Sequence, residues 1–87
     1  MAAVDIHRVD ENGYSVALHI LTALDEAGDD GMKASELGTL VSVSGATVGA
    51  WMRDLRARGW AEKAPVSPGS YVVRWHITDA GRAYLAS

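Results

Sequence analysis

The side chains of this 87-residue chain that could do chemistry are mainly cations. Arg53, Arg56 and Arg58 form a short run, and Lys33, Lys63 and Arg74 lie on either side of it. Guanidinium and ammonium groups spaced in this way can neutralise phosphate oxygens whether or not any base is read. Other chemistry has little to work with. Cysteine is absent, which removes disulfides, thiolate metal sites and thiol nucleophiles together. His7, His19 and His76 share no spacing suited to a metal and read as surface or lightly buried residues. Asp29-Asp30 reads as a solvated turn. No glycine-rich loop follows a strand, and no nucleophile has a base beside it. The expectation is a non-enzyme with no cofactor and no metal.

The net charge of −3 argues, as a bare total, against a polyanionic partner. Its distribution argues otherwise. Residues 1–32 hold Arg8 against seven carboxylates, a net of −6, whereas residues 33–87 hold seven cations against four carboxylates, a net of +3. One face of such a chain can meet phosphate while the other repels it; equally, the two halves could simply attract each other. Apolar residues make up 48% and charged residues 22%, as in an ordinary globular domain. There is no bilayer-length apolar run and no basic-then-apolar leader, so a cytoplasmic location without a membrane partner is expected. Phe is absent, which leaves Trp51, Trp60, Trp75, Tyr14, Tyr71 and Tyr84 to supply aromatic bulk to the core.

These cations need elements to position them. Residues 1–11 read as a tail or lead-in, and residues 12–87 as one domain. Tyr14, Val16, Ala17, Ile20, Leu21 and Leu24 recur at helical spacing as far as Gly28. A second, short helix runs from Ala34 to Val41. A third follows Ser44, whose side chain can cap it, with Val48, Trp51, Met52 and Leu55 facing inward. Arg56, Arg58 and Gly59 mark its end. Trp60–Ala64 and Tyr71–Ile77 read as strands around a Pro65–Ser70 loop, and Asp79–Leu85 as a last helix. The predicted fold class is α+β, mostly α: three helices, a two-stranded hairpin and a short C-terminal helix.

The stretch Glu36-Leu37, then Val43-Ser44-Gly45-Ala46-Thr47-Val48, then Leu55 to Gly59-Trp60, has the spacing of two helices joined by a short turn, with Val43 pinning them. Together with Ile77-Thr78-Asp79-Ala80-Gly81-Arg82, it resembles the winged helix-turn-helix superfamily in the style of MarR-like bacterial or phage regulators, over residues 16–86. The resemblance implies double-stranded DNA as partner, with the third helix in the major groove and the Pro65–Ser70 loop as a wing on backbone or minor groove. The positions it implicates are Lys33, Ser44, Ala46, Thr47, Gly49, Ala50, Arg53, Arg56, Lys63, Ser67, Gly69, Ser70 and Arg74. Of these, Thr47 and Arg53 could reach a base edge, while Arg56, like Arg58, is placed for phosphate. The chain departs from the pattern at Gly45, Ala46, Gly49 and Ala50, where such regulators place longer polar side chains, and in a wing that has no cation at its tip. The extra helices by which full-length regulators of this style dimerise are not expected within these 87 residues. Small residues on an exposed helix suit a partner helix as well, so the alternative is a protein-interaction module on the same fold, with another protein or a second copy in a homodimer as partner.

Overall fold

The computed structural model describes residues 4–10, 12–40 and 48–87. Over these residues, helices α1 (Val16–Ala27), α2 (Ala34–Leu40), α3 (Val48–Ala57) and α4 (Asp79–Ala86) surround an antiparallel hairpin of β1 (Ala61–Pro65) and β2 (Val73–Ile77). A 3₁₀ turn, Gly28–Asp30, leads from α1 towards α2. The fold is thus α+β and mostly helical.

Helix α1 begins where the Ser15 side chain accepts a hydrogen bond from the Leu18 amide, and it ends at Gly28, whose φ is +60°. Its apolar stripe of Val16, Ala17, Ile20, Leu21 and Leu24 is fully buried. Leu37 from α2, Trp51, Met52 and Leu55 from α3, and Ala61, Trp75 and Ile77 from the hairpin complete the core. The aromatic expectation holds for the tryptophans but not for two tyrosines. Tyr14 lies ahead of the Ser15 cap and is exposed, and Tyr71 is wholly exposed. Trp60 and Tyr84 are half-buried and stack on each other, with centroids 4.0 Å apart. Val4 and Ile6 pack against the core from the N-terminal segment, and the Arg8 carbonyl accepts from the Val16 amide at 3.0 Å.

Both strands are displaced from their expected limits, each for a hydrogen-bonding reason. After α3, the Gly59 amide donates to the Arg56 carbonyl and the Trp60 amide to the Leu55 carbonyl, at 2.9 and 3.0 Å. With Gly59 at φ +80°, this closes the helix through a Schellman pair and leaves Trp60 outside β1. At the far end, the Val72 amide donates to the Ser70 hydroxyl at 3.0 Å instead of joining the ladder. Regular pairing therefore stops at Pro65 opposite Val73, and Tyr71 and Val72 belong to the loop.

A third, one-residue strand joins the hairpin. Met32 and Trp75 exchange both backbone hydrogen bonds, at 2.9 and 2.7 Å. Gly31 makes this approach possible. Its φ is +65°, and a Cβ there would lie 2.5 Å from the Trp75 carbonyl oxygen and 2.7 Å from His76 Cε1. The Ile77–Arg82 motif latches the other end. The Thr78 hydroxyl donates to the Gly59 carbonyl at 2.5 Å and accepts from the Gly81 amide at 3.0 Å. A Cβ at Gly81 would collide with the Trp60 carbonyl, and Arg82 pairs with Asp25 of α1 at 3.1 Å.

Two stability predictions follow from these contacts. Trp51→Ala empties a site that is 1% exposed and should cost roughly 3–5 kcal/mol in denaturant unfolding. Gly31→Ala should cost at least about 1–3 kcal/mol, because it adds backbone strain to a clash with the Trp75 carbonyl; amide exchange should show the Met32 and Trp75 amides losing protection ahead of those in α1.

Candidate nucleic-acid interface

Helix α3 sorts its residues by period. Trp51, Met52 and Leu55 are buried, with Val48 packed against them. Gly49, Arg53 and Arg56 lie at i, i+4 and i+7 on an exposed stripe. The sheet register adds a further cation. Lys63 is paired with Trp75, so both point to the same face of the hairpin. The result is one shallow cleft of about 210 Å³ lined by Gly49, Arg53, Arg56, Lys63 and Trp75. The Lys63 ammonium stands 5.8 Å from the centroid of the Trp75 ring, a cation–π distance that orients it over the cleft. No carboxylate is among these lining residues.

Carboxylates collect on the opposite face of the hairpin. There, Asp29 and Glu62 share one recess with His76, Asp79 and Arg82, and Asp29 and Asp30 share another with Arg74. Arg74 is paired with Ala64 and points away from Lys63. Its guanidinium donates to the Asp30 and Gly31 carbonyls, each at 3.4 Å. The charge asymmetry of the sequence is therefore spatial as well: a cationic cleft on one side of the wing and mixed, carboxylate-bearing recesses on the other. Attraction between the two halves is also present, in the Arg82–Asp25 pair.

Four of the expected positions thus come together: Gly49, Arg53, Arg56 and Lys63. Ala50 is half-buried beside them on α3 but does not line the cleft. Lys33 is exposed just ahead of α2, and its amide donates to Glu36 Oε1 at 2.9 Å as part of that helix's start. Ser67, Gly69 and Ser70 form the wing tip, away from the cleft lining. Ser44, Ala46 and Thr47, with the turn that carries them, lie outside the described residues. Arg58 is held elsewhere, 2.8 Å from Asp54 and 5.4 Å over the Trp60 ring. The residue that sequence reasoning missed is Trp75, which was read as core and also walls the cleft. The signal available for it was the alternation of β2; the missing information was the register that sets Lys63 against it. Among the described residues, no three His, Asp or Glu side chains gather as metal ligands, and no helix is long and apolar enough to cross a membrane.

No family model and no curated protein sequence matches the chain. Solved structures do. A chain assigned as a transcriptional regulator from Pseudomonas aeruginosa superposes with a TM-score of 0.67 at 25% identity, covering 87% of this chain and 56% of that one. Another assigned as a transcriptional regulator, from Thermoplasma acidophilum, gives 0.61 at 24% identity, covering 82% and 71%. A point mutant of S. aureus MepR bound to an oligodeoxyribonucleotide gives 0.70 at 16% identity, covering 86% and 54%. This chain therefore spans little more than half the length of two of these regulators. The architecture this chain shares with them is the winged helix-turn-helix fold.

Because Arg58 is held by Asp54 outside the cleft lining, its removal should affect the helix end alone. Arg58→Ala is expected to lower stability by no more than about 1 kcal/mol, as for a partly exposed i,i+4 pair, and to leave any anion binding at the cleft unchanged in a parallel titration.

Proposed function

We propose that this winged helix-turn-helix domain binds double-stranded DNA as part of a small transcription regulator, with α3 in the major groove and the hairpin against the backbone. The observation that carries this reading is the convergence of Arg53, Arg56 and Lys63 on a cleft whose lining includes no carboxylate. Three cations on two elements can neutralise phosphates of one backbone, and the exposed glycine at position 49 lets a sugar–phosphate chain come close to the helix. The oligodeoxyribonucleotide bound to the MepR mutant, whose fold this chain shares, supports the same reading. Specificity on such a surface is limited. Gly49 and Ala50 offer no side-chain donor, so base readout falls to Arg53, to Thr47, to DNA shape or to a second copy on a neighbouring half-site.

The smooth Gly49–Ala50 surface also favours a second reading, in which this face packs against a partner helix. A salt titration with random duplex DNA separates the two. Each neutralised phosphate steepens the log–log salt dependence by about 0.9, so three contacts weaken binding roughly 40-fold between about 50 and 200 mM salt. Arg53→Ala and Arg56→Ala should each flatten the slope by about one contact. Gly49→Arg should strengthen non-specific DNA binding by adding a cation near phosphate, whereas at a helix–helix contact it would abolish partner binding. If the wild-type domain gives no duplex-dependent signal at low salt, the DNA reading fails and the interaction module takes its place.

A further inference from the structure

The outer side of α1 carries a second kind of surface. With the apolar stripe of the helix buried, Leu18, His19, Thr22, Asp25 and Glu26 form one exposed arc. At the N-terminal end of this arc lies a recess of about 540 Å³, mainly apolar in its lining, with Tyr14, Leu18 and Thr22 among its walls. It shares no residue with the cationic cleft. Tyr14 is 69% exposed and Leu18 39%. The backbone that carries these walls is well fixed. The Asp10 carboxylate accepts from the Asn12 and Tyr14 amides at 2.8 and 3.0 Å, and the Asp10 amide donates to the Tyr14 carbonyl at 2.8 Å. Ser15 then caps the helix through the Leu18 amide. A pre-ordered recess that exposes an aromatic and an aliphatic side chain gains by being covered and loses little entropy in the process.

Charge decides what covers it. Asp10 lines the recess and no lysine or arginine does. The same arc ends two turns on at Asp25 and Glu26, with Asp29 and Asp30 just beyond. The C-terminus of α1 adds its own partial negative charge there. Phosphate-bearing surfaces are therefore repelled. A second copy of this chain is disfavoured too. Parallel α1 helices would set the two Asp25–Glu26 ends together, and antiparallel ones would set each such end against the other copy's Asp10. We propose that this face docks a cationic amphipathic helix of another protein. The apolar side chains of that helix fill the recess beside Tyr14 and Leu18, and a lysine or arginine roughly 12 Å further along the α1 axis meets Glu26. Asp25 is already paired with Arg82, so Glu26 carries the charge contact. The inference does not rest on the DNA-binding reading, and both contacts can be made at once.

The test is calorimetric titration of the whole chain, without DNA, by a roughly 18-residue leucine–lysine peptide whose leucines recur at three- and four-residue spacing. One control peptide has glutamate in place of every lysine, and a second has the same composition in scrambled order. The first peptide should bind, the controls should bind much more weakly, and amide shifts on binding should fall in residues 14–26. Tyr14→Ala and Leu18→Ala should each weaken binding about five- to tenfold at every salt concentration, as expected for losing part of one apolar contact. Glu26→Lys should weaken it about two- to fivefold at low salt, with the effect fading at high salt. Because Tyr14 and Glu26 are exposed, an unchanged melting temperature verifies that the fold is intact. The docking site is overturned if the wild type does not bind the peptide, if Tyr14→Ala and Glu26→Lys bind it like wild type, or if the glutamate peptide binds equally well. It is overturned as well if sedimentation shows a dimer that Tyr14→Ala dissolves, because the occupant is then a second copy. Failure to bind duplex DNA would bear on the α3 face and leave this site standing.

Discussion

The pairing of Met32 with Trp75 is the constraint on which the proposed binding surface depends. A two-stranded hairpin is only marginally stable by itself, and this one projects a long loop beyond its last rung. The two reciprocal backbone hydrogen bonds at Met32 fasten β2 to the segment between α1 and α2, and the buried Trp75 ring fixes the same strand to the helical core. With Trp75 in place, the register determines everything across the ladder. Lys63 must face α3, Arg74 must face away, and the loop must extend beyond Pro65 and Val73. A slip of one residue would exchange the two faces and place Ala64, rather than Lys63, over the cleft.

The opposite end of the hairpin is fixed by a different device. Thr78 satisfies the Gly59 carbonyl and the Gly81 amide with one hydroxyl, and Gly81 lets α4 pack onto the Trp60 backbone. The end of α3, the start of β1 and the start of α4 therefore meet at a single corner. The Ile77–Arg82 segment is thus a structural latch and contributes no side chain to the cleft. A mostly acidic chain can carry a cationic face for a related reason: the latch and the Met32 bridge turn the hairpin so that Asp29, Asp30 and Glu62 border one side and the α3 cations the other.

How much of this was legible in the sequence depended on period. The inward stripes of α1 and α3 follow from side-chain spacing alone, because a helix repeats every 3.6 residues whatever it packs against. The stops at Gly28 and Gly59 were readable for the same local reason. The strand limits were not, because they depend on which amides are already engaged: Trp60 in the cap of α3, and Val72 with the Ser70 hydroxyl. Tyr14 and Tyr71 resemble core residues by type, but one precedes a helix cap and the other follows a turn, and composition carries neither fact. In the candidate site, the α3 cations could be read from the sequence. Their union with Lys63 and Trp75, and the separation of Arg74 from them, required the register.

In the proposed DNA-binding mode, the face shared by α3 and the inner side of the hairpin meets duplex DNA while the acidic face does not. Amide chemical-shift mapping during titration with a random duplex tests it most directly. The account predicts that shifts concentrate in residues 48–58 and 62–75 and leave Asp25, Glu26 and the exposed side of α1 around Leu18 and His19 unmoved. Shifts centred on that side of α1, with the α3 and hairpin amides silent, would contradict it.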